Sequence, residues 1–221
     1  MLKCTAALLG ALLFLAPAAT AQPTCDAEHK PVDSRCTGCP PMRDGKLCAS
    51  TTRYNDLTKG ACGCGTEPNG RDYWSKSMFT AALNAKNLDP ATPSLGWCPY
   101  NCGQCFQLCS TGGATNSRGG QPESCIVVKV ENRCGDGYPG QDNWCRQTMS
   151  YDECQRNPSA CRQRGATNNY GYSAHFDLQD ANLQIEQLGW DNAEVTFEAV
   201  SCDGQNYPDW RSNCQCESPF A

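Results

Sequence analysis

The cysteine content constrains this chain more than any other feature. The 221 residues include 19 cysteines, of which only Cys4 precedes position 25. The remaining 18 are an even number spread along the chain, which is typical of a disulfide framework formed in an oxidising compartment. Each bridge typically stabilises the folded state by about 2–4 kcal/mol. The sequence therefore predicts up to nine disulfides, whose pairing the spacing leaves open.

The first residues support export. Lys3 precedes an apolar run over residues 6–16, and Ala19, Thr20 and Ala21 form the small-residue pattern of a cleavage site. This pattern predicts a signal peptide over residues 1–21. The apolar run is shorter than the roughly 20 residues that a membrane-spanning helix needs. We therefore expect a secreted, extracellular protein without a membrane partner.

Two cysteine pairs have the spacing of metal ligands. The pairs at 36 and 39 and at 102 and 105 are each separated by two residues, as in many zinc sites. However, the cysteines are spread over the whole chain, which has only two histidines. Neither pair lies in the βαβ pattern expected of a thioredoxin-like redox motif. The signal peptide favours disulfides over zinc, so we expect no metal and no cofactor.

The charge of the chain argues against polyanionic partners. Without the signal peptide, 17 basic and 23 acidic residues remain, which gives a net charge of −6. No cluster of basic residues stands out. Such a surface is poorly suited to bind nucleic acid or anionic lipid. A neutral substrate fits better, and we expect a monomer.

The chain divides into an extension and a main domain. Residues 22–50 are rich in cysteine, proline and charge and show no hydrophobic period, which predicts an irregular, disulfide-pinned extension. A small binding module is the alternative for this segment, although it has few aromatic residues. The main domain is predicted over residues 51–221.

Hydrophobic patterns in the main domain predict mostly strands. Apolar or alternating runs predict strands at residues 105–109, 126–130 and 193–202. Apolar residues at helical spacing predict short helices at residues 75–87 and 178–188. Segments rich in glycine, asparagine and proline predict loops, most clearly at residues 112–122 and 135–143. The pattern indicates a mainly β domain with short helices and long loops, and it favours a barrel.

Three aspartates are candidates for chemistry. Asp56, Asp136 and Asp177 each lie beside glycine, cysteine or aromatic residues rather than in a charged helix. A carboxyl group beside an aromatic ring loses part of its solvation, which raises its pKa and suits it to donate a proton. Each also has a simpler interpretation. Asp136 fits a turn, Asp177 a helix N-cap, and Asp56 an ion pair with Arg53.

Histidine and aromatic residues are further candidates. His175 fits either a base or a buried structural residue, and no serine or cysteine lies in an activating motif that would indicate a nucleophilic triad. Aromatic rings beside glycine, asparagine or aspartate fit either stacking on sugars or packing in the core. These rings are Tyr54, Trp74, Trp97, Tyr100, Trp144, Tyr172 and Trp190.

Four segments together resemble a known family. Residues 51–56 (TTRYND) resemble the T-T-R-Y-x-D signature of glycoside hydrolase family 45, and residues 175–178 (HFDL) resemble its H-F-D-L motif. Residues 102–108 (CGQCFQL) are similar to its C-G-x-C-[FY]-x-L strand. Residues 130–136 (VENRCGD) are similar to its V-x-N…G-D strand and loop. The first motif is fairly specific, whereas H-F-D is shared with expansins. The resemblance extends from Thr51 to about Cys202.

The resemblance implies a six-stranded double-psi β-barrel and an inverting endo-β-1,4-glucanase that acts on β-1,4-glucan without a cofactor. It implies that Asp177 is the general acid, Asp56 the general base and Asp136 an accessory carboxylate. Inversion requires the acid and the base to lie roughly 6.5–9.5 Å apart, with room for water between them. Residues expected to contact the substrate are Tyr54, Thr52, Asn132, His175 and Trp97.

The chain departs from the family pattern at two places. Asn55 stands where many members have tryptophan, and residues 137–172 form a long segment that resembles the longer-loop branch known from invertebrates. The alternative function is that of an expansin-like protein, which binds and loosens polysaccharide without hydrolysis. Asp56 favours hydrolysis, because expansins generally lack an aspartate in this setting. A barwin-like defence or structural protein would need neither Asp56 nor Asp177.

Overall fold

The computed structural model describes residues 25–55, 58–65, 79–91, 97–135 and 142–220, with only the backbone described at 142 and 143. Asp56, Asp136, Trp74 and the segment predicted as a signal peptide lie outside these ranges. None of the helices in the described part of the chain has the length and hydropathy of a membrane span.

The described chain contains seven strands and six short helices. The strands are β1 (Met42–Arg43), β2 (Lys46–Tyr54), β3 (Thr80–Asn84), β4 (Cys105–Gly119), β5 (Cys125–Cys134), β6 (His175–Gln179) and β7 (Asp191–Val200). The helices are α1 (Ala85–Leu88), α2 (Asp142–Cys145), α3 (Tyr151–Arg156), α4 (Pro158–Cys161), α5 (Gln184–Gln187) and α6 (Trp210–Asn213).

Six of the strands close into a barrel. The strand order is β1-β2-β6-β3-β5-β4-β7, and β7 also pairs with β2, so that only β1 lies outside the ring. The pairs β2–β6 and β3–β5 are parallel, whereas the other pairs are antiparallel. The predicted mainly β fold, a six-stranded barrel with short helices, is confirmed.

The barrel is filled by alternate side chains of its strands. On β6, Phe176 and Leu178 belong to the main core, and Phe106 of β4 packs edge-on against Phe176 with ring centroids 5.2 Å apart. Successive side chains of a strand point to opposite faces. His175 and Asp177, which alternate with these core residues, therefore lie on the outer face of the barrel. This alternation positions the site described below.

All 18 cysteines beyond position 24 form disulfides, which confirms the predicted framework. No cysteine of the two metal-like pairs is bonded within its own pair. The nine bridges are Cys25–Cys39, Cys36–Cys48, Cys62–Cys102, Cys64–Cys214, Cys98–Cys216, Cys105–Cys202, Cys109–Cys125, Cys134–Cys145 and Cys154–Cys161.

The helix predicted at residues 75–87 is wrong over its described part. Thr80–Asn84 is strand β3, and only the last residues enter the short helix Ala85–Leu88. All five residues of β3 are buried. A strand that is covered on both faces loses the polar–apolar alternation that identifies strands, so its apolar residues matched a helical period.

Two further elements differ from the prediction. The segment predicted as a helix at 178–188 begins as the end of β6, and its helix is confined to Gln184–Gln187. The loop predicted at 112–122 is largely strand, because β4 continues to Gly119. The pairing of β4 with β7 shifts register twice along this stretch, so glycine-rich irregularities interrupt the ladder without ending it. The strands predicted at 105–109, 126–130 and 193–202 are confirmed.

The segment before residue 51 is joined to the barrel. Strand β2 begins at Lys46, inside the segment predicted as an extension. Asp33 forms a β-bridge with Ala114 of β4. These contacts make part of the segment 22–50 continuous with the barrel sheet.

A buried carboxylate, Glu194 of β7, binds this segment further. Its Oε1 accepts hydrogen bonds from the Arg35 backbone N–H (2.8 Å) and the Thr111 hydroxyl (2.7 Å). Its Oε2 accepts from the hydroxyls of Ser34 and Tyr172, both at 2.6 Å. Burial of the Tyr172 hydroxyl beside this carboxylate raises the pKa of Tyr172. Glu194 thus joins the N-terminal segment, β4 and the long segment before β6.

Candidate active site

Two of the recognised motifs lie side by side on the barrel. Parallel pairing of β2 and β6 places Ser50 opposite His175 and Thr52 opposite Asp177. Both pairs have side chains on the outer face, since the core residues of β6 alternate with them. The fold thereby joins two motifs that lie 125 positions apart in sequence.

A chain of hydrogen bonds leads to Asp177. The Thr52 hydroxyl donates to Asp177 Oδ1 at 2.6 Å and lies 3.0 Å from His175 Nε2. On the other side of the ring, Ser50 Oγ lies 2.8 Å from His175 Nδ1, and the Asn168 side-chain amide donates to Ser50 Oγ at 2.9 Å. We call Asn168, Ser50, His175, Thr52 and Asp177 the His175 chain.

The direction of hydrogen-bond donation along the His175 chain follows from its two ends. The Asn168 side-chain nitrogen can only donate, and its Oδ1 is oriented by accepting the backbone N–H groups of Tyr170 and Tyr172. At the other end, the Thr52 proton is directed to Asp177, so Thr52 accepts from His175 and the N–H of a neutral ring lies on Nε2. Nδ1 of that ring then accepts from the Ser50 hydroxyl, which itself accepts from Asn168.

His175 is a neutral, buried ring. It is fully buried, and this burial lowers its pKa to about 3. A neutral imidazole has one donor and one acceptor nitrogen, as the direction of the chain requires. Its backbone N–H donates to Asn84 Oδ1 at 3.1 Å. Because its side chain has no exposed surface, His175 does not offer the direct sugar contact that the sequence predicted.

The long segment before β6 contributes to this site. Trp144 packs against His175 with ring centroids 5.4 Å apart and stacks on Tyr170 at 4.6 Å. The Trp144 backbone carbonyl also accepts a hydrogen bond from Asn168. The part of the chain that departs from the family pattern therefore supplies both the cover of His175 and the first donor of its chain.

A pocket opens beside the His175 chain. It has a volume of about 480 Å³, and its lining includes Thr52, Tyr54, Trp144, Asn116 and Leu183. We call it the Thr52 pocket. Its mixture of aromatic, amide and hydroxyl groups suits a polyhydroxylated ligand with apolar C–H faces.

Arg53 also lines the Thr52 pocket, where it is surrounded by acidic groups. Its guanidinium lies 3.0 Å from Asp180, 3.3 Å from Glu186 and 3.7 Å from Asp191. The sequence offered Arg53 as an ion-pair partner for Asp56. Among the described residues its carboxylate partners are these three, and Asp56 lies outside the described ranges.

Tyr54, which lines the Thr52 pocket, and Asn132 of β5 both make defined hydrogen bonds. The Tyr54 hydroxyl donates to Oε1 of the buried Glu131 at 3.1 Å, and the Thr80 hydroxyl contacts the same oxygen at 3.2 Å. Asn132 Oδ1 accepts the backbone N–H of Ala61 at 2.8 Å. Asn132 therefore holds the segment that follows residue 57 against β5.

Trp97 lies apart from this cluster. Its side chain is 53% exposed, and it does not line the Thr52 pocket. The next residue, Cys98, donates its backbone N–H to the carbonyl of Ala61. Of the predicted site residues within the described ranges, the fold thus brings Thr52, Tyr54, His175 and Asp177 together and leaves Trp97 outside.

Sequence reasoning missed several members of the site. Ser50 lies two positions before Thr52, so strand alternation alone would have placed both on one face. Asn168 and Tyr170 gave no signal, because they lie in a loop whose path the sequence does not reveal. Glu131 was quoted within a motif but was not recognised as the partner of Tyr54.

Metal-ligating residue types meet at two places in the described structure. Cys134 and Cys145 lie near His175, and Cys25 and Cys39 lie near Cys161. All of these cysteines are in disulfides, so their sulfur atoms do not offer the thiolates that zinc binds.

Comparison with known proteins identifies the class of protein. Residues 49–211 match the family model described as EXPB1-like domain 1. The chain is 36% identical over 194 residues to an endoglucanase of Mytilus edulis, covering 83% of this chain and 98% of the relative. It is 37% identical over 175 residues to endoglucanase-5 of Hypocrea jecorina, covering 76% of this chain and 62% of the relative.

Solved structures agree with these relatives. The β-1,4-D-endoglucanase Cel45A of the blue mussel Mytilus edulis superposes with a TM-score of 0.69 at 36% identity, covering 83% of this chain and 99% of that one. The family 45 endoglucanase EG27II, solved with cellobiose, superposes with a TM-score of 0.65 at 33% identity, covering 90% and 99%. The chain is a glycoside hydrolase, and it belongs to the family 45 endoglucanases.

Proposed function

We propose that this chain is an endo-β-1,4-glucanase in which Asp177 is the general acid and Asp56 the general base of an inverting reaction. The observation that supports the assignment of Asp177 most strongly is its 2.6 Å hydrogen bond from Thr52, a residue that lines a pocket suited to sugars. The endoglucanase relatives support the reaction and the substrate class.

The proposed reaction needs two carboxyl groups with opposite tasks. Asp177 donates a proton to the glycosidic oxygen as the bond to the anomeric carbon breaks. Asp56 removes a proton from the water that attacks the opposite face of that carbon, so the new hydroxyl has inverted configuration. A separation of roughly 6.5–9.5 Å would leave room for this water.

The His175 chain would orient the acid. Because Thr52 donates to Oδ1, a proton on Asp177 belongs on Oδ2, where it does not oppose the Thr52 hydrogen. Since His175 is neutral, the chain adds no charge that would hold Asp177 permanently ionised. Thr52 and His175 are therefore positioning residues, and the rotamer of Asp177 is defined before substrate binds.

Other parts of the proposal concern binding and location. Tyr54, Asn132 and Trp97 would contact the glucan chain at successive positions, and Asp136 would act as an accessory carboxylate. The disulfide framework supports an extracellular protein. We propose that it is secreted, that it acts as a monomer and that it binds β-1,4-glucan rather than nucleic acid or membranes.

The test combines the products and their stereochemistry. Wild-type protein should lower the viscosity of carboxymethyl cellulose faster than it releases reducing ends, because internal cuts shorten chains most effectively. Proton NMR of the earliest products should show the α-anomer. A β-anomer would indicate a retaining enzyme and contradict the role of Asp56. Binding to glucan without any release of reducing ends would support the expansin-like alternative instead.

A further inference from the structure

A second pocket lies between the barrel and the C-terminal segment. It has a volume of about 520 Å³ and is lined by Lys129 of β5, by the end of β7 and by Tyr207, Trp210 and Phe220. It shares no lining residue with the Thr52 pocket. We call it the Lys129 pocket.

The ammonium group of Lys129 is unusual in its surroundings. The residue is only 5% exposed, and its Nζ lies 5.1 Å from the Trp210 ring centroid and 5.4 Å from that of Tyr207. Within the described ranges no carboxylate forms an ion pair with Nζ and no atom accepts a hydrogen bond from it. Burial lowers the pKa of Lys129. Cation–π contacts offset only part of the cost of burying an ammonium group, which leaves donors available to an oxygen-rich ligand.

The aromatic walls of the Lys129 pocket are held in place. The Tyr207 hydroxyl lies 2.8 Å from the backbone carbonyl oxygens of Phe79 and of Val127. The indole N–H of Trp210 donates to the carbonyl of Cys216 at 2.7 Å. The pocket is therefore formed before any ligand binds, which reduces the entropic cost of binding.

The rim of the pocket determines which ligand fits. Asp203, Gln205 and Asp209 line it and are exposed. An anionic ligand would meet Lys129 but would be repelled by both aspartates. A neutral polyol can accept hydrogen bonds from Lys129 and donate to the aspartates. The Phe220 ring adds an apolar wall of the kind that packs against the C–H face of a sugar.

We propose that the Lys129 pocket is a second, non-catalytic binding site for a neutral sugar residue of a glucan chain. Lys129 donates to the sugar hydroxyls, the rim aspartates accept from them, and the aromatic wall covers one face of the ring. This site would hold substrate near the enzyme without taking part in bond cleavage. It does not depend on the assignment of Asp177 as the acid.

Titration of the whole protein with cellobiose, followed by ¹H–¹⁵N NMR, tests the proposal. The Trp210 indole N–H signal should shift saturably, independently of signals from Thr52 and Ser50. Lys129→Met keeps the contacts with both rings but removes the donors, so it should weaken cellobiose binding at Trp210 about tenfold or more. Signals at Thr52 should respond as in wild type, and hydrolysis of carboxymethyl cellulose should stay within about twofold.

Two controls make the test decisive. Lys46→Met removes an exposed lysine that is paired with Glu198 and should leave binding at Trp210 unchanged. Glucuronate in place of cellobiose tests the charge argument and should bind more weakly. The proposal is overturned if Trp210 does not respond up to the solubility limit of cellobiose, if Lys129→Met responds like wild type, or if glucuronate binds more tightly.

Discussion

Asp177 and Glu194 are both buried acidic residues on strands that pair with β2, but their surroundings differ. Glu194 is fully buried, and each of its oxygens accepts two hydrogen bonds, from four residues in three parts of the chain. Asp177 is 7% exposed and accepts a hydrogen bond from Thr52, which lines the Thr52 pocket and ends a chain of neutral groups. A carboxylate whose oxygens already accept four hydrogen bonds, as in Glu194, stabilises the fold. A carboxylate that a hydroxyl orients beside a pocket, as in Asp177, is suited to exchange a proton.

The largest effect on stability is expected at Glu194. Glu194→Ala leaves four donors without their acceptor, so the free energy of unfolding should fall by about 3–5 kcal/mol. Glu194 lies opposite Ser50 of the His175 chain on the same face of the sheet, but its side chain bonds to Ser34, Arg35, Thr111 and Tyr172 and not to Asp177. The turnover number should therefore fall by less than about tenfold. Guanidinium unfolding and reducing-end release measure the two effects.

Glu194→Gln is the matched control for this variant. Its amide nitrogen can donate to the hydroxyls of Ser34 and Tyr172, which can reverse their roles, so the stability loss should be smaller than for alanine. A loss below about 1 kcal/mol for Glu194→Ala would contradict the structural role of this carboxylate.

The pH dependence of stability should report His175. Its pKa is about 3 in the folded state, against an ordinary value near 6.5. Between these values the unfolded chain binds one more proton at this position than the folded chain. The free energy of unfolding should therefore fall as pH drops from about 6.5 towards 3, by up to about 1.4 kcal/mol per pH unit from this group.

Comparison with variants isolates this contribution. His175→Gln should flatten the slope between about pH 6.5 and 3, whereas His29→Gln, which changes an exposed histidine, should not. Chemical unfolding at a series of pH values measures the slopes. Equal slopes for wild type and His175→Gln would contradict the description of His175 as a buried neutral ring.

The smallest effect is expected at Thr52, which joins His175 to Asp177. Thr52→Val keeps the shape but removes the hydroxyl, so the turnover number should fall about tenfold with little change in KM. The alkaline limb of the pH–rate profile should move to higher pH, because the hydroxyl donates to the ionised carboxylate. Thr52→Ser should restore both. An unshifted pH–rate profile for Thr52→Val would mean that Thr52 contributes packing but does not influence the ionisation of Asp177.

The sequence predicted the barrel and the family better than the elements between the motifs. Residues 126–130 were identified as a strand because a buried strand keeps an apolar run. Strand β3 was mistaken for a helix because burial on both faces removes the alternation that a strand normally shows. The extent of β4 was missed because glycine and asparagine at its register shifts resemble a loop.

The site shows the same division. Thr52 and Asp177 were found because each lies in a recognisable motif. The contribution of Asn168 and the closed environment of Glu194 depend on contacts between segments far apart in sequence, which no local pattern encodes. His175 was expected to touch the sugar, yet it is buried. It contacts Thr52, which in turn donates a hydrogen bond to Asp177.

The rate of Asp177→Asn on two substrates that differ only in leaving group tests the central claim most directly. A glucan needs a proton on its leaving oxygen, whereas a dinitrophenyl cello-oligosaccharide releases a stable phenolate without one. If Asp177 is the general acid, the variant should lose about 10²–10⁴-fold in turnover on the glucan and less than about tenfold on the dinitrophenyl substrate. Equal losses on both substrates, or activity on the glucan within about threefold of wild type, would contradict the account.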